Sequence, residues 1–210
     1  MSVGAILLAA GSGTRYRSNK LLESLAGEPL FVWSFRALST HPEICKVVVV
    51  TSAEMEQVVR DRLPEATIVL GGQDRQASMV CGLNEITECT FALIHDAARP
   101  ILQSTLIQSV IEAAREHGAA GPALDITDTI RNEAGIVDRS TLRAMQTPQC
   151  GRVVDFQRAI AANVDSPTDD LGMLAANGIT PKVDTGSPFA LKSTTPDDLL
   201  KLRGLLGPEE

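Results

Sequence analysis

Short apolar runs alternate along this chain with stretches whose apolar residues recur at helical spacing. Ala5-Ile6-Leu7-Leu8-Ala9-Ala10 is a continuous apolar run near the start, the pattern of a strand covered on both faces. Lys46-Val47-Val48-Val49-Val50-Thr51 is β-branched, Thr67-Ile68-Val69-Leu70 ends at Gly71-Gly72, and Phe91-Ala92-Leu93-Ile94 ends at the polar His95-Asp96. Between these strands the spacing predicts helices: Leu30 to Leu38, then Met55, Val58, Val59 and Leu63, then Met79, Val80, Leu83 and Ile86. After Pro100, Leu102, Leu106, Ile107, Val110, Ile111 and Ala114 form another amphipathic stripe. Alternating β and α units imply an α/β fold, Rossmann-like, with a mostly parallel sheet and helices on both faces. Ligands of such sheets lie beyond the carboxyl ends of the strands, where the Gly11 loop, Gly71-Gly72 and His95-Asp96 all fall.

The pattern changes from Ala123 to Gln149. Ile126 to Asn132 and Gly135 to Arg139 read as two short extended segments around Asn132-Glu133-Ala134-Gly135. This predicts a β-hairpin arm at about 125–143 leaving the main sheet, within a single domain over 1–210. An isolated hairpin is marginal in water, so the arm is expected to pack on something, a second subunit included. Thr195-Pro196-Asp197-Asp198 opens a last helix, with Thr195 as N-cap and two acids at the positive end of the dipole.

Composition narrows the partners. The net charge of −7 argues against nucleic acid or an anionic membrane surface. One Trp and one Tyr make base stacking on aromatic platforms a poor mode of binding. No apolar segment reaches bilayer-spanning length, and Met1-Ser2-Val3-Gly4 lacks a basic region, so a cytoplasmic protein is expected. Cys45, Cys81, Cys89 and Cys150 have no Cys-x-x-Cys spacing and read as free thiols.

Against that acidic background the cations after the first strand stand out. Gly11-Ser12-Gly13-Thr14-Arg15 is followed by Arg17 and Lys20. Glycines let successive backbone N–H groups approach a polyphosphate, and the cations neutralise its charge. The same Gly-x-Gly also serves a plain strand-to-helix turn. Asp96 at a strand end opposite this loop suits Mg²⁺, or alternatively caps the helix after Pro100. His95 reads as a packed strand-end residue more readily than as a base. Gly71-Gly72 permits close approach of a base or sugar, with Ser78 one turn into the next helix, or is a tight turn only. Thr168-Asp169-Asp170 reads as a helix cap.

Several motifs carry a resemblance. Leu8-Ala9-Ala10-Gly11-Ser12-Gly13-Thr14-Arg15 is similar to the signature of sugar and alditol phosphate nucleotidyltransferases. Gly71-Gly72-x-x-Arg75-x-x-Ser78, His95-Asp96-Ala97-Ala98-Arg99-Pro100, Asp128-Thr129, Asp138-Arg139, Gln146-Thr147-Pro148-Gln149, Thr168-Asp169 and Lys192-x-Thr194-x-Pro196-x-Asp198-Leu199 resemble, in order and spacing, the 2-C-methyl-D-erythritol 4-phosphate cytidylyltransferase family of the non-mevalonate isoprenoid pathway. The resemblance implies transfer of CMP from CTP to a sugar-alcohol phosphate. Ala9, Ala10, Gly11, Gly13 and Thr14 would wrap the CTP phosphates, Arg15 and Lys20 would stabilise charge at the α-phosphate, and Gly72 and Ser78 would contact cytidine. Asp96 would hold Mg²⁺, while Arg99, Thr129, Arg139, Thr168 and Lys192 would hold the acceptor, some of them supplied by the partner of an arm-exchanged homodimer.

Three departures bear on specificity. Gln73 stands where the family usually has an aspartate, and its amide can accept from a cytosine amino group or donate to a uracil oxygen. The compact Asn19-Lys20-Leu21-Leu22 is more like the molybdenum-cofactor nucleotidyltransferases. Pro188-Phe189 precedes Lys192 where polar residues are expected, which leaves another acceptor such as ribitol 5-phosphate open, as does a paralogue that binds CTP without turnover.

Overall fold

The computed structural model describes residues 1–11, 19–162 and 169–206. Its first half is the expected βα alternation: β1 (Val3–Ala9), the small ribbon β2 (Ser24–Leu25) and β3 (Glu28–Pro29), α1 (Leu30–Ser39), β4 (Ile44–Thr51), α2 (Glu56–Arg62), β5 (Thr67–Leu70), α3 (Arg75–Asn84), β6 (Phe91–Asp96) and α4 (Ser104–His117). The second half holds β7 (Ala119–Asp125), the hairpin β8 (Ile130–Asn132) and β9 (Gly135–Val137), β10 (Arg143–Met145), β11 (Gln149–Arg152), α5 (Val153–Ala161), α6 (Asp170–Ala176), β12 (Lys182–Thr185) and α7 (Pro196–Leu206).

The main sheet runs β10-β7-β11-β6-β1-β4-β5, with β12 beside β7. β6, β1, β4 and β5 are parallel, β11 runs antiparallel between β6 and β7, and β12 is parallel to β7. The fold is therefore the expected mostly parallel α/β sheet. β10 pairs with the end of β7 and β11 with its start, the two separated by Gln146–Pro148 with its cis Thr147–Pro148 bond.

Side chains of β1 alternate between two cores, as the period of a strand requires. Val3, Ala5, Leu7 and Ala9 join Phe31, Phe35, Val59, Ile107 and Ile111 from α1, α2 and α4. Ile6 joins Met79, Leu83, Phe156 and Leu174 from α3, α5 and α6 on the other face. Burying each such aliphatic or aromatic side chain contributes about 1.5–3 kcal/mol before the entropy cost of ordering. α3 lies close to the sheet because Gly82 has no side chain: a Cβ there would stand 2.5 Å from Ile6 Cγ2 and 2.9 Å from Val50 Cγ2. α7 packs elsewhere, with Leu199 and Leu202 against Leu25 and Leu30. Among the described residues no helix is long and apolar enough to cross a membrane.

The hairpin is shorter than the sequence suggests. Ile126 to Thr129 are not in a strand, Asp138 caps a 3₁₀ turn at Arg139–Thr141, and β8–β9 pair only with each other. Asp125, the first position of the expected arm, belongs instead to the end of β7, and Arg143, its last, to β10, both in the main sheet.

Candidate active site

Two cavities open at the carboxyl end of the parallel strands. The first, of about 370 Å³, is lined by Ala10 and Gly11 after β1, by Lys20, and by the β5–α3 turn from Gly72 to Arg75 with Ser78. The second, of about 400 Å³, is lined by Arg99, Arg143, Thr147, Gln149 and Asp169. Arg75, Asp96 and Lys192 line both.

Glycine at position 71 is a packing requirement. A Cβ there would stand 2.6 Å from Ala10 Cβ and 2.7 Å from Ser78 Oγ, so the ends of β1 and α3 close on the β5 turn. Asp74 accepts from Ala77 N–H at 2.7 Å as the α3 N-cap, which starts the helix under the cavity floor. Asn19 caps the turn that carries Lys20, accepting from Leu21 N–H at 3.1 Å.

Asp96 ends β6 at the junction of the cavities. Lys192 Nζ lies 2.6 Å from its Oδ2, and Arg75 Nη2 lies 3.5 Å from its Oδ1. Burial alone would raise its pKa, but the charges of Lys192 and Arg75 outweigh it and hold the carboxyl well below the usual carboxylate range. Arg75 also forms a fork with Asp170, both contacts at 2.7 Å. Burial works against the Arg75 charge, yet Asp170 and then Asp96 outweigh it and hold the guanidinium firmly protonated. Burial pushes Asp170 up, with the Arg75 fork opposing it. Asp96 does not cap α4, whose N-cap Gln103 makes no side-chain capping bond.

The Gln146–Gln149 segment braces this arrangement residue by residue. Gln146 pairs with the Ser187 backbone, donating to its oxygen at 2.9 Å and accepting from its N–H at 3.0 Å, which fixes the approach to Lys192. Ser193 N–H donates to Ala98 O at 2.8 Å from the other side of that lysine. Thr147 Oγ1 accepts from Asp96 N–H at 3.1 Å and lies 3.0 Å from His95 Nδ1. The Arg99 carbonyl can only accept, so His95 Nε2–H donates to it at 3.1 Å, and Nδ1 of the neutral ring accepts from the Thr147 hydroxyl. Burial pushes the His95 pKa down to about 4, so the ring is neutral and serves as a packed spacer. Gln149 Oε1 accepts from Asp170 N–H at 2.9 Å and from Leu171 N–H at 3.1 Å, while its Nε2 donates to Asp169.

The structure brings together Ala10, Gly11, Lys20, Gly72 and Ser78 in one cavity, Arg99 in the other, and Asp96 and Lys192 between them. Ala9 faces the core instead. Gly13, Thr14, Arg15 and Thr168 lie outside the described residues. Thr129 and Arg139 are exposed on the arm and line neither cavity, Arg139 donating to Thr127 O. Phe189, 42% exposed, lines neither as well. The sequence alone assigns Arg75 and Arg143 no role of their own and reads Asp170 only as part of a helix cap. Arg75 sits inside the quoted glycine motif, whereas Arg143 on a short edge strand has no local signal.

Among the described residues no group of three or more His, Cys, Asp or Glu gathers for a metal. One ionised carboxylate facing both cavities nevertheless fits Mg²⁺, which takes one or two carboxylates together with substrate phosphates and waters.

Two adjoining cavities rich in cations, sharing one carboxylate at the end of a parallel sheet, suit the joining of two phosphorylated molecules. Joining two phosphorylated molecules is the task of a nucleotidyltransferase. The sequence model of the family IspD, 2-C-methyl-D-erythritol 4-phosphate cytidylyltransferase, matches residues 3–207. The 2-C-methyl-D-erythritol 4-phosphate cytidylyltransferase of Rhodococcus jostii is 36% identical over 214 residues, 97% of this chain and 95% of that protein. The bifunctional enzyme IspD/IspF of Desulfotalea psychrophila is 34% identical over 98% of this chain, which spans 57% of that longer relative. The crystal structure of the 2-C-methyl-D-erythritol 4-phosphate cytidylyltransferase from Thermus thermophilus superposes with a TM-score of 0.83 at 29% identity, covering 98% of each chain. This chain belongs to the 2-C-methyl-D-erythritol 4-phosphate cytidylyltransferase family.

Proposed function

We propose that the chain transfers CMP from CTP to 2-C-methyl-D-erythritol 4-phosphate, giving 4-diphosphocytidyl-2-C-methyl-D-erythritol and pyrophosphate. Family membership supports the reaction, and the observation that carries the site is Asp96 standing where the two cavities meet, between Lys192 and Arg75. CTP takes the first cavity. Ala10 and Gly11 face its phosphates, Lys20 stabilises charge at the α-phosphate, and Gly72, Gln73 and Ser78 face the nucleoside. Gly13, Thr14 and Arg15 are assigned to the phosphates by the family motif alone.

The acceptor takes the second cavity, its phosphate drawn by Arg99 and Lys192. Thr129 and Arg139 serve the acceptor from the arm of a second copy in a homodimer, and Thr168 joins them by the same motif. An acceptor phosphate oxygen attacks the α-phosphorus, the bond from that phosphorus to the bridging oxygen breaks, and pyrophosphate leaves with the electron pair. A phosphate dianion needs no general base. His95, fully buried and bonded at both nitrogens, is not placed to act as one. Positioning two anions and countering the developing charge is then the protein's task. Asp96 would hold Mg²⁺, which supplies further neutralisation of the phosphates when bound. A cytoplasmic location is in keeping with the use of CTP.

The test is pyrophosphate release with Mg²⁺, pairing CTP or UTP with 2-C-methyl-D-erythritol 4-phosphate or ribitol 5-phosphate. The expected result is turnover on CTP with the methylerythritol phosphate at least about a hundredfold above every other pair. Equal turnover on UTP would assign relaxed base choice to Gln73, and preference for ribitol 5-phosphate would overturn the acceptor.

A further inference from the structure

The wall shared by the two cavities continues past the residues that the reaction needs. From Lys192 Nζ the row runs 2.6 Å to Asp96 Oδ2, then 3.5 Å from Asp96 Oδ1 to Arg75 Nη2, and ends in the two 2.7 Å contacts of Arg75 with Asp170. Asp170 is 2% exposed as a side chain and lines neither cavity, so its carboxylate meets the site through Arg75. Its backbone is pinned in turn, because Gln149 Oε1 on β11 accepts its N–H. A buried ion pair is a poor way to gain stability, since desolvation offsets the attraction and a well-packed apolar pair often does as well. A two-point fork instead fixes the plane and direction of a guanidinium, which a lysine or an unclamped arginine leaves free.

We infer that Arg75 is a positioning residue for the transfer reaction and Asp170 its anchor. The fork holds the guanidinium as the partition between the nucleotide and acceptor cavities and steadies Asp96 from the side opposite Lys192. Without it Asp96 leans wholly on Lys192, which then faces the acceptor less freely, and the two substrates lose their common register. Such a loss falls on the chemical step more than on binding. This role rests on the reaction proposed above.

The experiment compares the full chain with the double variant Arg75→Met/Asp170→Leu, which removes both charges together and leaves neither unpaired, and with Arg75→Lys. Measured are kcat and KM for both substrates, CTP affinity by calorimetry, and the melting temperature. The double variant is expected to melt within a few degrees of wild type and to keep KM and CTP affinity, while kcat falls roughly a hundredfold. Arg75→Lys retains the charge without the fork and is expected to lose most of that activity too, which carries the comparison should the double variant melt early. Wild-type kcat in either variant, with wild-type stability, overturns the positioning role alone. A wild-type chain inactive on CTP and the methylerythritol phosphate overturns the reaction and this role with it.

Discussion

His95 shows how a motif residue can matter without touching substrate. It is fully buried, and its two nitrogens tie Thr147 to Arg99 across the end of β6. Burial pushes its pKa from 6.5 down to about 4. Between those values the unfolded chain binds a proton that the folded chain refuses, so the stability from neutral His95 is fully present above about pH 6.5 and is lost as pH falls to about 4. The loss amounts to roughly 3 kcal/mol. Urea denaturation across this window is expected to show a slope that flattens in His95→Gln, and an unchanged slope would show that His95 is not the titrating group. Asp96 and Lys192 were legible as site residues from their motifs. Their 2.6 Å contact was not, because they lie 96 positions apart and only the fold closes that distance. Arg75 stood in plain view in the glycine motif, but its partner Asp170 read as a helix-cap residue, so the fork that joins them left no local trace.

At the scale of elements, the strands seen in the sequence were those with β-branched or uniformly apolar runs: β1, β4, β5 and β6. β1, β4 and β6 lie inside the sheet and their burial writes itself into composition, whereas β5 is a half-buried edge strand, legible from its β-branched residues alone. β7, as Ala119-Ala120-Gly121-Pro122-Ala123-Leu124-Asp125, has none of that character and is a strand by tertiary context. β10, β11 and β12 are three or four residues long, too short for a period to register. The helix α3 was legible at its apolar face, whereas its closeness to the sheet depends on Gly82. Gly82→Ala would bring a Cβ to 2.5 Å from Ile6 Cγ2 and lift a helix whose first turn carries Arg75 and Ser78. The expected cost is about 1–3 kcal/mol in denaturant unfolding, with a matching loss of turnover. Unaltered stability would mean that α3 has room the packing does not show.

The two cavities divide along the sheet, the first at the parallel half and the second at the antiparallel half, with the nucleotide proposed for the first. The hairpin β8–β9 stands apart from both. It pairs only with itself, and Ile136 on it is 69% exposed. A two-stranded ribbon with a bare apolar residue is marginal alone. Light scattering is therefore expected to give twice the 22.4 kDa chain mass, and Ile136→Glu to shift it toward one chain. A single-chain mass for the unmodified protein would leave Thr129 and Arg139 without a route to either cavity. The central claim, however, is the direction of attack, and one measurement decides it. With ¹⁸O in the phosphate of 2-C-methyl-D-erythritol 4-phosphate, turnover with CTP should place all of the label in the cytidine diphosphate product and none in the pyrophosphate. Label appearing in pyrophosphate or free phosphate would contradict attack by the acceptor oxygen on the α-phosphorus, and with it the meeting of the two substrates at Asp96.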